Sequence, residues 1–238
     1  MRQIIRKIAK ESRRREFFWR YGFNFSPTFR YVAESGDKLN STEKSVIDSL
    51  NENGIAISTV DELLGENSLF QELDSATSSV LESRKDEIAE LKLRANDKDT
   101  IGDKTFNLEL LGSELIFDAD NIFAKFALNN ALLNIANSYF HMYAKLRYYN
   151  VWKTFASHGS PRESQLWHFD REDRYILKVF LYLSDVDNSA GPFTYAPGTH
   201  KKGKLNDLEP EFFIEGGVQR TTDEQMNKVF PKEKWVKG

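Results

Sequence analysis

A histidine and an aspartate two residues apart are the side chains of this chain best suited to hold a metal ion. His168 and Asp170 belong to the sequence Trp-His-Phe-Asp, and alternate residues of an extended segment point to the same side. An imidazole and a carboxylate that share a side can reach one ion. With one further imidazole from a remote strand they form the facial triad typical of Fe(II) sites. The alternative is an ordinary surface or core histidine beside an acid.

The composition restricts the chemistry further. The 238 residues include no cysteine, which excludes disulfides, thiolate metal sites and thiol nucleophiles and leaves His, Asp and Glu as metal ligands. The net charge of −3 does not attract nucleic acid, and no apolar run approaches the roughly 20 residues that cross a bilayer. Because a secretory signal is also missing, we expect a soluble, cytoplasmic protein with no specific nucleic-acid partner.

The other three histidines are weaker candidates for metal ligands. His141 falls at the end of a predicted helix, His158 in a loop with Gly and Pro, and His200 in a turn. We expect structural roles for all three.

The first 20 residues carry a concentrated positive charge. Eight Lys or Arg stand against two Glu, a net charge of +6, whereas the remainder of the chain sums to −9. Apolar residues at helical spacing precede the aromatic residues 17–19. One interpretation is a basic amphipathic helix that touches anionic lipid, RNA or a partner, with at most weak membrane contact through residues 1–20. The other is a solvated helix with an aromatic anchor.

Helical periodicity dominates the chain as far as residue 140. Residues 21–45 are rich in Ser, Gly, Pro and Asn, which predicts an irregular arm. We therefore divide the chain into a basic helix and arm over 1–41 and one domain over 42–238. The pattern in this domain predicts a helix capped by Thr42, a strand over 55–57, and helices over 74–94 and about 119–139.

The periodicity changes from 3.6 to 2 at residue 142, which indicates strands. Residues 142–151 alternate between an apolar face and a cationic, phenolic face, and residues 175–196 predict a hairpin with its turn at 185–191. Helices followed by strands favour an α+β protein with a two-sheet jelly roll. Residues 202–234 predict a long insertion that acts as a lid, or an ordinary connecting loop.

Five motifs follow one another in a fixed order across 36 residues, 166–201. They are Trp167-His168-Phe169-Asp170, Lys178 to Leu183, Asp185-Val186-Asp187, Gly191-Pro192-Phe193 and Pro197-Gly198-Thr199-His200. This ordered set resembles the phytanoyl-CoA dioxygenase family of Fe(II)/2-oxoglutarate oxygenases. A weaker likeness extends over residues 46–201.

The resemblance implies a double-stranded β-helix, the cupin-like jelly roll, with supporting N-terminal helices. It also implies an enzyme that uses Fe(II), 2-oxoglutarate and dioxygen to hydroxylate a small organic or lipid-like substrate, with release of succinate and CO₂. By the same resemblance, His168 and Asp170 are Fe(II) ligands.

A 2-oxoglutarate pocket is implied on the neighbouring strands, where Arg147 and Phe180 occupy positions that line it in the family. Lys145 and Tyr182 share the corresponding faces, and a dicarboxylate needs such cationic and hydroxyl donors. The alternatives are an exposed sheet face for the two cations and core packing for the two aromatic residues.

The third metal ligand of the family has no counterpart here. The family carries a distal histidine on a late strand and an arginine about ten residues further on, whereas no histidine follows His200. We expect a C-terminally incomplete member that lacks the late strands, with an inactive site in this chain. The alternative is a non-catalytic jelly-roll binding or structural protein that has lost the distal His and the 2-oxoglutarate Arg.

Overall fold

The computed structural model describes residues 15–34, 39–65, 68–94, 106–156, 160–170, 172–215 and 218–238. In these ranges the helices are α1 (Glu16–Phe18), continued by a π-helical turn (Trp19–Phe23), α2 (Phe25–Glu34), α3 (Ser41–Asn53), α4 (Val60–Leu64), α5 (Ser68–Ser83), α6 (Lys85–Arg94), α7 (Ile122–Ala127), α8 (Asn130–Phe140) and α9 (Asp223–Val229). The strands are β1 (Asn107–Glu109), β2 (Trp152–Thr154), β3 (Thr194–Tyr195), β4 (Phe213–Glu215), β5 (Val218–Arg220) and β6 (Val236–Lys237). No helix in the described ranges is long and apolar enough to cross a membrane.

Helix α3 begins and ends at clear local signals. The Asn40 side chain accepts the backbone N–H of Glu43, and the Glu43 carboxylate accepts the N–H of Asn40, so the two form a capping box. Gly54 ends the helix in the left-handed conformation. The helix predicted at Thr42 is therefore confirmed, with its cap two residues earlier.

Two predicted long helices are each divided in two. The segment 74–94 lies in α5 and α6, which meet at Arg84, and the segment 119–139 lies in α7 and α8. The Asn129 side chain accepts the N–H of Leu132 and so starts α8 afresh. Asparagine competes in this way with the continuing helix because its short amide binds nearby backbone groups.

The predicted irregular arm is helical in its described part. Trp19 is buried and donates its indole N–H to Asp173 at 2.8 Å. Arg20 is also buried and donates to the carbonyl oxygens of Phe140 and His141, which closes the C-terminus of α8. These long-range contacts outweigh the loop-like composition of residues 21–34, while residues 1–14 and 35–38 lie outside the described ranges.

The strands form three separate antiparallel pairs: β1 with β2, β3 with β6, and β4 with β5. The strands predicted over residues 55–57 and 142–151 are wrong, because these residues belong to none of the described ladders. The predicted hairpin over 175–196 is wrong, because β3 pairs with β6 and the N–H of Phe193 donates to the Tyr182 hydroxyl. The jelly roll stays a prediction.

Residues 202–234 help to build a core instead of forming a loop. They contain α9, and Met226 and Phe230 are buried together with Ala196. Trp167 and Trp235 pack against this cluster. The segment predicted as an insertion therefore supports the chain that carries the candidate metal pair.

A turn from the C-terminal half docks on the end of α3. Gly198 donates its N–H to the carbonyl of Asn53, and the His200 Nε2 donates to the carbonyl of Asn51. A Cβ at Gly54 would lie 2.5 Å from the Tyr195 hydroxyl oxygen. Gly54 thus serves both the helix end and the close approach of the turn.

Replacing Gly54 by alanine should destabilise the protein, because the side chain meets both an unfavourable φ of +78° and Tyr195. We expect the free energy of unfolding to fall by about 1–3 kcal/mol, measured by urea denaturation. Gly112→Ala is the matched control, since Gly112 has a φ of +74° but no atom near its Cβ position. An equal loss in both variants would show that the contact with Tyr195 does not matter.

His200 should make the stability depend on pH. Burial lowers the pKa of this imidazole below 6.5, helped by the charge of Lys202 and opposed by the bond to Asn51. The unfolded chain therefore takes up the proton first, and stability present above pH 6.5 is lost as the pH falls. Between about pH 7.5 and 5.5, wild type should lose more unfolding free energy than His200→Gln, and equal losses would exclude this role.

Candidate metal site

The segment that carries His168 and Asp170 is extended and anchored by Trp167. The backbone N–H and C=O of Trp167 both bond to Thr221, each at 3.0 Å, and its indole donates to Asp223 at 2.8 Å. The indole also packs against Trp235, with ring centroids 4.8 Å apart. The predicted metal pair is thus attached to a fixed stretch of backbone.

The imidazole of His168 has a defined tautomer. Its Nδ1 lies 2.7 Å from the carbonyl oxygen of Leu166, and because a carbonyl only accepts, Nδ1 carries the proton. In the neutral imidazole this tautomer leaves the lone pair on Nε2. Histidines that bind metals are commonly oriented in this manner, with the other ring nitrogen bonded to a backbone carbonyl.

The carboxylate of Asp170 faces this free nitrogen. Its Oδ1 lies 3.9 Å from Nε2 of His168, and the two side chains are 28% and 31% exposed. Metal–ligand bonds of about 2.1 Å allow two ligand atoms up to about 4.2 Å apart on one ion. Adjacent octahedral positions need roughly 3.0 Å, so binding would draw the two atoms together by about 1 Å.

Lys178, the first residue of the motif over 178–183, also belongs to this site. Its Nζ lies 2.7 Å from Oδ2 of Asp170, which is the distance of a charge-assisted hydrogen bond. Lys178, Phe180 and Tyr182 alternate with apolar residues in the sequence, and this pattern predicts that their three side chains share one side. The ammonium supplies Asp170 with a positive charge that a metal ion would otherwise provide.

The predicted 2-oxoglutarate residues are distributed over two places. Phe180 stacks on Phe193 with centroids 4.6 Å apart, and the Tyr182 hydroxyl accepts the N–H of the same residue. Lys145 and Arg147 are exposed. Within the described ranges, neither cation bonds to the His168 and Asp170 pair.

Arg220 is a buried cation that sequence reasoning missed. Its Nη2 pairs with the Glu163 carboxylate at 3.1 Å, while its Nε and Nη1 have no hydrogen-bond partner among the described residues. Arg220 directly precedes Thr221, the residue that forms the antiparallel bridge with Trp167. No pattern in the sequence pointed to this arginine, because residues 202–234 were predicted to be an insertion or a connecting loop.

Two of the remaining histidines, His141 and His200, have partners elsewhere in the described structure. His141 is the left-handed C-cap of α8 with φ +52°, and His200 is bonded to the end of α3. His158 lies outside the described residues. Within the part of the chain that is described, no group of three or more His, Asp or Glu side chains is placed to hold a metal.

A cavity of about 440 Å³ lies beside α2, lined by Ser26, Pro27, Arg30, Glu34 and Tyr143. The Tyr143 hydroxyl donates to Glu34 at 2.7 Å, and Arg30 donates to the same carboxylate at 3.4 Å. The bond from Tyr143 is the main reason that the pKa of Glu34 is lowered. None of the predicted metal or 2-oxoglutarate residues lines this cavity.

Comparisons with protein-family models, curated proteins and solved structures found no match to this chain. The likeness to phytanoyl-CoA dioxygenases therefore rests on the motifs of residues 166–201. The case for a metal site rests on the geometry of His168 and Asp170.

Removing the charge of Lys178 should strengthen metal binding, because its ammonium competes for Asp170. We expect Lys178→Met to raise the affinity for Fe(II) by up to about fivefold, the equivalent of a partly exposed ion pair of about 1 kcal/mol. Anaerobic calorimetry measures the effect, and Lys145→Met is the control that removes an exposed lysine elsewhere. Weaker binding by Lys178→Met would mean that the lysine supports the metal.

Proposed function

We propose that this chain binds Fe(II) through His168 and Asp170 as part of an Fe(II)/2-oxoglutarate-dependent dioxygenase that hydroxylates a small organic or lipid-like substrate. The observation that carries the proposal is the free Nε2 of His168 facing the Asp170 carboxylate at 3.9 Å. The ordered motifs around the pair give the reaction class.

The donor set fits a ferrous ion in type. Imidazole nitrogen and carboxylate oxygen are two of the three ligands in a facial triad, and Fe(II) when bound supplies the activation of dioxygen. The carbonyl of Leu166 holds the imidazole in the required tautomer. The Trp167–Thr221 bridge fixes the backbone between these groups.

The cosubstrate needs cations and aromatic walls near the pair. Arg220 directly precedes the bridge partner of Trp167 and has two donors without a partner in the described residues, so its guanidinium is a candidate for binding a carboxylate. Phe180 and Tyr182 are candidates for the aromatic and hydroxyl groups. We keep Lys145 and Arg147 as further candidates.

A second candidate function is a non-catalytic binding or structural protein that retains the motifs. Two observations favour it. The ammonium of Lys178 already neutralises Asp170 at 2.7 Å, and the described ranges hold no third protein ligand beside the pair. In this case the His168 and Asp170 side chains are held by Leu166 and Lys178 without any metal.

Fe(II) titration separates the pair from ordinary surface binding. His168→Ala and Asp170→Ala should each weaken Fe(II) binding by more than about tenfold, since each removes one of two protein ligands. Asp185→Asn is the matched control, because Asp185 is exposed within the same run of motifs. Equal weak binding by wild type and both alanine variants would contradict the assignment.

Turnover distinguishes the two candidate functions. The dioxygenase produces succinate from 2-oxoglutarate under air with Fe(II), and both alanine variants abolish this product. Fe(II) binding without succinate would support the non-catalytic protein.

A further inference from the structure

Helix α2 exposes its large apolar side chains and buries polar ones. The buried positions are Thr28 and Tyr31. Phe25, Phe29 and Val32 recur three or four residues apart on the other side, and they are 55%, 61% and 68% exposed. The helix thus presents to solvent the face that a surface helix ordinarily buries.

The residues before α2 also expose aromatic side chains. Trp19 and Arg20 are buried, whereas Phe17 and Tyr21 are exposed with ring centroids 5.4 Å apart. Exposed apolar residues are common singly, but a contiguous group marks an interaction site.

The π-helical turn and α2 both contact the C-terminal end of α8, so their exposed sides point away from α8. Arg20 donates to the carbonyl of Phe140, and the Tyr31 hydroxyl lies 3.2 Å from the Ser138 hydroxyl, both near the end of α8. We call the outward group the aromatic face. It consists of Phe17, Tyr21, Phe25, Phe29 and Val32.

The sequence around the aromatic face is strongly basic. Residues 1–34 contain nine Lys or Arg and three Glu, while the rest of the chain has a net charge of −9. The two described carboxylates of this segment are already paired, Glu16 with Arg20 and Glu34 with Arg30. Apart from these two pairs, residues 1–34 contain seven Lys or Arg and one Glu, a charge that favours an anionic partner.

We infer that the aromatic face binds the surface of an anionic membrane. Aromatic rings partition to the boundary between headgroups and acyl chains, and adjacent lysines and arginines are attracted by anionic lipids. Because no described helix is long and apolar enough to cross the bilayer, the contact lies in the interface. The aromatic face follows the basic segment in sequence. Its apolar side chains can enter the lipid, which charged side chains alone cannot do.

Other partners fit this surface less well. Pairing with a second copy would bring two segments of net charge +6 together, and like charges across an interface repel. Single-stranded nucleic acid requires stacking platforms, whereas Phe25 and Phe29 stack on each other and Val32 has no ring.

Co-sedimentation of the full chain with vesicles tests the inference. Wild type should pellet with phosphatidylcholine vesicles that contain about 30% phosphatidylserine, and binding should fall at about 1 M salt, where charges are screened. Phe25→Ser/Phe29→Ser should weaken binding at least tenfold, because two apolar side chains no longer enter the lipid. The matched control is Ile116→Ser/Phe117→Ser, a pair with 60% and 57% exposure elsewhere, which should bind like wild type.

Unchanged vesicle binding by Phe25→Ser/Phe29→Ser would overturn the inference, and so would equal weakening by the control pair. Sedimentation velocity and an oligonucleotide titration cover the other partners. A wild-type dimer that the double substitution dissociates, with no vesicle binding, identifies an interface between copies. Tighter binding of single-stranded oligonucleotide than of vesicles, lost in the same variant, identifies a nucleic-acid surface.

Discussion

The backbone bridge between Trp167 and Thr221 is the constraint on which the candidate site depends. Thr221 is fully buried, and its hydroxyl donates to the carbonyl of Glu211, so the bridge joins the site segment to a packed part of the chain. Trp167 also packs against the core around Met226 and Phe230. An extended backbone determines that alternate side chains share a side, but only an anchored backbone keeps His168 and Asp170 at a fixed separation.

Electrostatic balance decides what the pair can do. In the described structure Asp170 is neutralised by Lys178, and His168 is held by a backbone carbonyl that leaves one nitrogen free. A divalent ion entering this space would displace the ammonium from the carboxylate and raise the local charge by one unit. The same carboxylate oxygen atoms of Asp170 can therefore bind either the ammonium of Lys178 or a metal ion.

The N-terminal helices show how burial separates residues of similar type. Arg20 lies in a strongly basic stretch, yet it is buried and closes the end of α8. Trp19 is buried beside it, while Phe17 and Phe29 remain exposed. Residue type alone does not predict which of these side chains are buried. Their different positions follow from which side of each helix meets α8, and the apolar groups on the other sides stay exposed.

Local sequence determined most of the helices and the shared side of His168 and Asp170. The Asn40 capping box and Gly54 act within a few residues, so they determine where α3 begins and ends without contacts from the rest of the chain. Strand partners were decided by the tertiary structure: Thr194–Tyr195 pairs with Val236–Lys237 instead of a neighbouring segment. The contacts of Lys178 and Arg220 also depend on segments brought together from distant positions. Periodicity specifies which face a side chain occupies, whereas hydrogen-bond partners are chosen by the packing of the whole chain.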